Sequence, residues 1–342
     1  MSFKFEQGKD LILDAVVEKI HEKMKGRPAA LSAEFFRQFF GTVSLDDLRE
    51  WSIEDLYGAT INFWSLITQR NPNETKIRIY NPDFERDGWQ TTHTVIEVIC
   101  DDMAFLVDSL RLILNRMKLG LHLIIHMGGI RLVRDEAGNV SQILPRQGET
   151  VPGAIIEAPI FMEIDRRTDP ALLDELYQQL YITLQENRAV VDDWALMRDK
   201  VREVIDEIDT MPSTIDRSEI EETKAFLNWI EDHHFTFLGI EDNELVEENG
   251  EVILRPVPGT GLGVLREGLA QSKDIVISSM TPEAQQITVS SQILVISKTN
   301  TLSTVHRDAY TDYIGVKRFD AKPLSSCHSQ NSPSGAAFCG IH

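Results

Sequence analysis

Three patterns in the 342-residue sequence carry residue types able to bind or transform a small molecule. The first is the run Cys100-Asp101-Asp102-Met103-Ala104. Thr94 to Cys100 is short and β-branched and predicts a strand, while Phe105, Leu106, Leu110, Ile113, Leu114 and Met117 continue at helical period. A strand-to-helix turn presents unpaired backbone N–H groups at the positive end of the helix, which suit a carboxylate, and Asp side chains beside them suit an ammonium. Asp101, Asp102, Met103 and Ala104 are therefore the candidate site for a zwitterion such as an amino acid; plain N-capping by Asp102 accounts for the same residues without a ligand. The second pattern, Gly259-x-Gly261-x-Gly263, has the look of a phosphate loop. Its third glycine comes one residue early and no apolar strand directly precedes it, so it reads as an ordinary loop. The third is a set of histidines and cysteines: His122 with His126, His233-His234, and the tail pairs Cys327-His328 and Cys339-x-x-His342. Even spacing puts His122 and His126 on one face of a strand, but no Glu or Cys partner stands near, and the tail lacks a second Cys-x-x-Cys pair. These patterns assign no catalytic, cofactor-binding or metal-ligating residue.

The elements that position these groups follow from periodicity. Residues 1–75 read as a helical region, with helices over 9–25, 33–40 and 52–69; the second is rich in Phe35, Phe36, Phe39 and Phe40. From 76 to 209 strands and helices alternate. The strand 94–100 and its helix are followed by strands at 121–127, 130–133, 140–144 and 158–164, with Asp135 to Asn139 as a turn. Asp169-Pro170 starts a long helix through Leu172, Leu176, Leu180 and Leu184, and Asp192-Asp193 starts another. Strand, helix, strands, helix is the order of an α+β, ferredoxin-like sandwich. After Met211-Pro212-Ser213 a second α+β unit spans 210–322. It has a helix capped at Ser218, strands at 235–240, 252–256, 287–297 and 312–319, and Asn249-Gly250 as a hairpin turn. That unit reads as unfinished.

Composition sets the class. With 34 Lys+Arg against 54 Asp+Glu, a formal charge of −20 and 42% hydrophobic residues, this is the balance of an acidic globular protein. Nucleic acid is excluded as a partner by the absence of a basic patch. No apolar run approaches the roughly 18–20 residues of a membrane span, and the first residues lack the apolar core of a secretory signal, so the expected compartment is the cytoplasm. Cys100 reads as a small buried hydrophobe. Pro323 to His342 contains no charged residue and two of the three cysteines, which points to a disordered or out-of-frame tail over 323–342.

Several segments resemble the N-terminal region of the large, bacterial-type NAD-specific glutamate dehydrogenases. They are Asp101 to Ser109, His234-Phe235-Thr236-Phe237-Leu238-Gly239, Gly261 to Arg266, Ser303-Thr304-Val305-His306-Arg307, and Asp312 to Asp320. The resemblance runs in order from about Ala33 to Lys322. It implies an ACT-type domain over about 76–209, a PAS-like α+β domain that is incomplete, and a long homo-oligomeric enzyme that deaminates L-glutamate to 2-oxoglutarate and ammonia with NAD. The catalytic lysines and dinucleotide fold of that family lie beyond the matching region, so this segment is expected to bind no cofactor and to have no turnover. Its implied role is regulation and assembly through an amino-acid effector. The competing reading is a stand-alone amino-acid-binding or protein-interaction module.

Overall fold

The computed structural model describes residues 2–209, 216–269, 273–290, 292–318 and 334–341. The predicted boundary at Met211-Pro212-Ser213, the stretch from Phe319 to Pro333 with Cys327 and His328, and His342 lie outside the described residues. Two compact units divide the chain: Met1–Met103 with Ile113–Tyr181, and Ala104–Leu112 with Ile182–His342. Both are α+β, each built on one antiparallel sheet.

In the first unit, helices α1 (Ser2–Lys23), α2 (Gly26–Phe40), α3 (Leu45–Arg49) and α4 (Ile53–Ile67) precede the sheet. Ser44 and Ser52 cap α3 and α4 by accepting from Asp47 N–H and Asp55 N–H. The sheet consists of β1 (Lys76–Tyr80), β2 (Thr94–Asp101), β3 (Leu121–His126), β4 (Ile130–Arg134), β5 (Val140–Ile143) and β6 (Ala154–Ile164), with α5 (Phe84–Asp87) between β1 and β2. Its order is β1-β2-β6-β4-β5, and β3 also pairs with β6. β1 was absent from the sequence reading because Lys76 and Arg78 alternate with isoleucines on a two-sided strand directly after the Asn71-Pro72-Asn73 boundary. The aromatic residues of α2 are core: Phe35, Phe36, Phe39 and Phe40 pack with Phe63 and Trp64 of α4 and with Val95, Ile99 and Phe161 of the sheet. Cys100 is fully buried, as its surroundings predicted.

Strand alternation puts Glu97 on the face of Val95 and Ile99, and Glu157 and Glu163 on the face of Phe161. Three carboxylates therefore point under the helical layer, where an unpaired charge would be very costly. Each has a polar partner from elsewhere in the chain. Arg78, which stands opposite Glu97 in register, donates from Nε to Glu97 Oε2 at 2.7 Å. Arg134 forms a fork on Glu157, Nε to Oε1 and Nη2 to Oε2, both 2.7 Å, and spends its remaining donors on the carbonyls of Ile67, Thr68 and Gly138. His93 Nδ1 lies 3.3 Å from Glu163 Oε2.

The second unit is built on α8 (Trp194–Ile208), α9 (Arg217–Trp229), α10 (Pro282–Val289) and the sheet β7 (Thr236–Glu248), β8 (Glu251–Pro256), β9 (Leu262–Gly263), β10 (Ile275–Val276), β11 (Leu294–Leu302), β12 (Tyr310–Arg318) and β13 (Ser334–Ile341). The unit boundary falls within α6 (Leu106–Arg116) and α7 (Pro170–Asp192). The order is β10-β8-β7-β13-β12-β11, with β9 on β7. Asn249-Gly250 makes the predicted hairpin turn, both residues at positive φ. Asp216, not Ser218, caps α9, and the strand expected over 287–297 is split between α10 and β11. The core joins Met197, Val201 and Val204 of α8 to Phe237, Leu238 and Ile240 of β7 and to Ile314 and Val316 of β12.

The expectation of a structureless tail fails at Ser334–Ile341. β13 pairs with β7 on one side and β12 on the other, so the sheet that was read as ending with 312–319 takes in a further strand. A strand flanked on both sides has no need of charge, and the same run that looked foreign by composition repeats a local pattern. Phe338-Cys339-Gly340-Ile341 matches Phe237-Leu238-Gly239-Ile240 of β7 and Tyr313-Ile314-Gly315-Val316 of β12 as aromatic, x, Gly, aliphatic. Among the described residues no helix is long and apolar enough to cross a membrane.

Two outcomes are expected. Arg134→Met leaves Glu157 buried beside Arg70 alone and should cost about 3–5 kcal/mol in urea unfolding, whereas the Arg134→Met/Glu157→Met double variant should recover at least half of that loss. Equal losses would show that the two do not act as an ion pair. Burial pushes the Cys339 thiol up to about 12. In a chain carrying Cys100→Ala and Cys327→Ser, Cys339 should therefore resist a disulfide reagent under native conditions and react once urea is added. Rapid native labelling would place residues 334–341 outside the sheet.

Candidate functional site

The candidate turn is held differently at each of its four residues. β2 runs through Asp101 and α6 begins only at Leu106, with Phe105 at φ 66°, so the predicted helix start at Asp102 is four residues early. The Asp101 carboxylate accepts from both terminal nitrogens of Arg70, with Nη1 to Oδ1 at 3.0 Å. Arg70 is buried, and its Nε also lies 3.4 Å from Glu157. A guanidinium thus occupies the place beside Asp101 that the sequence reading gave to a ligand's ammonium. Arg70 stands 31 residues away, so no local pattern announced it. Asp102 is exposed; its N–H donates to the Ile156 carbonyl at 3.2 Å, and its side chain caps no N–H of α6. Its carboxylate lies against Gly129, whose φ of +83° and lack of a Cβ keep that space open. Burial lowers the pKa of nearby His126, against the pull of the Asp102 charge. Met103 is half-buried.

Ala104 belongs to the second unit, where its carbonyl accepts from Asn187 Nδ2 at 2.9 Å. Ser109 Oγ in turn meets Asn187 Oδ1 at 3.4 Å and accepts the His306 N–H at 3.1 Å. The Phe105 ring lies 4.4 Å from that of His306, and Thr304 Oγ1 donates to Glu186. Two segments that drew attention in the sequence, Ala104 to Ser109 and Ser303 to Arg307, are here in contact. Burial and the Arg307 charge hold His306 below the usual imidazole range, which favours the neutral ring. The arrangement is a hydrogen-bonded latch with no activated nucleophile in it.

The glycine loop is closed by the protein's own carboxylates. Gly259 N–H donates to Glu267 Oε1 at 2.6 Å, and Gly263 N–H to Asp193 Oδ2 at 2.8 Å, with Arg266 on the same Asp193. Asp193, read as a helix cap, sends its side chain to this loop and makes no capping bond to α8. His122 Nε2 is 2.8 Å from Asp165, and its ring stacks on His93 at 4.3 Å. His234 bonds the Trp229 carbonyl through Nδ1.

Sequence reasoning missed the Glu97 group. Glu97 is buried, takes Arg78 on Oε2 and accepts Tyr80 O–H on Oε1 at 3.0 Å. Burial pushes its pKa up to about 7, against the pull of Arg78 and Tyr80. The alternating charge in Lys76 to Tyr80 was the available signal. The folded-state value lies above the ordinary 4.5, so the stability contributed by Glu97 is complete below about 4.5 and is lost as pH rises through about 7. Urea unfolding at pH 5, 6.5 and 8 should show wild-type stability falling relative to Glu97→Gln by on the order of 2–3 kcal/mol. A difference that does not change with pH would mean that Glu97 ionises as it does in an unfolded chain.

Residues 35–180 match the family model of the glutamate dehydrogenase ACT1 domain. The chain is 34% identical over 310 residues to an NAD-specific glutamate dehydrogenase of Halomonas elongata, an alignment covering 90% of this chain and 19% of that protein. It is 33% identical over 293 residues to the NAD-specific glutamate dehydrogenase of Pseudomonas aeruginosa, covering 84% of this chain and 18% of the relative. The chain therefore spans about a fifth of the length of these relatives. On this similarity residues 35–180 are an ACT1 domain of the glutamate dehydrogenase kind, and the chain as a whole resembles the part of the NAD-specific glutamate dehydrogenases that these alignments cover.

Proposed function

We propose that this chain is the N-terminal regulatory and assembly segment of an NAD-dependent glutamate dehydrogenase and is not itself catalytic. The observation that carries this reading is the ACT1 match over 35–180 in a chain that aligns with only 18–19% of relatives named for the whole activity. In the full-length protein the reaction would be oxidation of L-glutamate by NAD to 2-oxoglutarate and ammonia, with NAD bound outside this segment. The protein would work as a cytoplasmic homo-oligomer. For the second unit we keep the PAS-like reading; counting β7, β8, β11, β12 and β13 as one to five, its sheet order is 2-1-5-4-3, which supports that likeness.

The effector is an amino acid, and within the turn Asp101, Asp102, Met103 and Ala104 the roles divide. Asp101 is neutralised by Arg70, so Asp102 is the carboxylate left to meet an ammonium. Regulation then requires that the effector bind one state of the full-length enzyme more tightly than another, since equal affinity shifts nothing.

Two measurements test this. The purified chain with L-glutamate and NAD should give no rise in absorbance at 340 nm; turnover would overturn the non-catalytic assignment. Amino acids titrated into the chain and followed by thermal shift should include at least one that raises the melting temperature. Asp102→Ala should weaken that effect at least about fivefold, a loss of about 1 kcal/mol. Asp101→Asn should instead lower the melting temperature before any ligand is added, because it uncouples Arg70. An amino-acid response indifferent to Asp102 would remove the turn from the effector site.

A further inference from the structure

Beside β1 the first unit carries a cleft of about 420 Å3 lined by Asn62, Arg78, Tyr80, Asn81, Arg86 and Asp87. Two arginines are among its lining residues. Arg78 spends Nε and Nη2 on Glu97 and on the Asn62 carbonyl. Arg86 spends Nε and Nη2 on Asp87 and on the Asn81 carbonyl. The Nη1 of each has no acceptor among the described residues. Arg78 also lies 5.0 Å over the Tyr80 ring, so its plane is fixed from below as well as from behind. Asn62 gives both hydrogens of its amide to the carbonyls of Gly58 and Asp87, which ties the wall from α4 to the end of α5. The cleft thus holds two arginines, each ion-paired and each keeping one free Nη1 donor, beside the amides of Asn62 and Asn81, and is large enough for a small metabolite.

We propose that this cleft binds the carboxylate of a small organic acid, taken by the unused Nη1 donors of Arg78 and Arg86. The proposal goes beyond the effector turn, since none of these residues belongs to it. Planar guanidinium groups match a carboxylate in both charge and shape. Asp87 is already satisfied by Arg86 and by the Asp83 N–H, so its charge is compensated locally.

Binding is linked to a proton through Glu97, which lies behind Arg78. The charged and titratable groups facing Glu97 are Arg78 and Tyr80 from β1 and Asp87 from α5; its cross-strand neighbour on β6 is the apolar Phe161. Arg78 divides its charge between Glu97 and any carboxylate in the cleft. A ligand therefore favours the protonated Glu97, and by reciprocity protonated Glu97 favours the ligand. With the Glu97 carboxyl near 7, the linkage falls within the physiological range.

The test is calorimetric titration of the 342-residue chain carrying Asp102→Ala, so that the effector turn does not contribute, with L-glutamate in one arm and 2-oxoglutarate in the other. Saturable binding in either arm supports the carboxylate site; binding of both shows that the ammonium is dispensable, and binding of L-glutamate alone shows that it is read as well. Affinity should fall about five- to tenfold from pH 6 to pH 8. Glu97→Gln should flatten that dependence, and Arg86→Ala should weaken binding at least about threefold. Arg86 is mostly exposed, so its variant tests the site without touching the core. Arg78→Gln should abolish binding. Absence of saturable heat in both arms at 20 mM, or an affinity unchanged in Arg86→Ala and Arg78→Gln, would overturn the proposal while leaving the Asp102 reading intact.

Discussion

Much of the first unit depends on where three glutamates are placed. Glu97, Glu157 and Glu163 lie on the sheet face that α1 to α4 cover, in a layer otherwise built of phenylalanine, tryptophan and branched aliphatics. A carboxylate removed from water there is tolerable only if paired and hydrogen-bonded. The partners supplied for that purpose also set the geometry around them. Arg134 fixes the end of α4 against the β4–β5 turn because it can serve Glu157 only by filling its other donors with the Ile67, Thr68 and Gly138 carbonyls. Arg78 fixes β1 in register with β2 and reaches Asn62 on α4. A core of hydrocarbon alone would bury as much area, but it would not specify which carbonyl meets which strand.

Pairing does not solve the problem equally at the three positions. Glu157 has a two-bond fork from Arg134 and a second arginine, Arg70, close by, whereas Glu97 shares a half-exposed arginine and a tyrosine, and Glu163 has a histidine and a threonine. Burial therefore dominates at Glu97 and Glu163, whose carboxyls are both pushed up. Protonation within this buried layer is therefore favoured at Glu97 and at Glu163.

The degree to which all this was legible in the sequence varied with the range of the interaction. Helices with clean periodicity, such as α7 after Asp169-Pro170, and the Asn249-Gly250 hairpin were readable because their determinants lie within a few residues. β1 was lost because its arginine and lysine look like surface residues until Glu97 is known to lie opposite. β13 is hidden by a composition without charged residues, and the sign of a strand there is the Phe-x-Gly-aliphatic repeat that it shares with β7. The α+β class survived these errors, since it rests on the alternation of elements and not on any one of them.

The Asp101-Asp102 pair shows the same limit at the scale of a single bond. Two identical neighbouring acids were assigned one role, yet β2 ends at Asp101 and the two side chains have different surroundings. Asp101 meets Arg70, and Asp102 stays in water against a glycine that leaves room beside it. Sequence gives the charge of such a pair but not its division, because the division is made by Arg70, 31 positions before Asp101. Chemistry read from a doublet is therefore the chemistry of its unpartnered member, and here that member is Asp102.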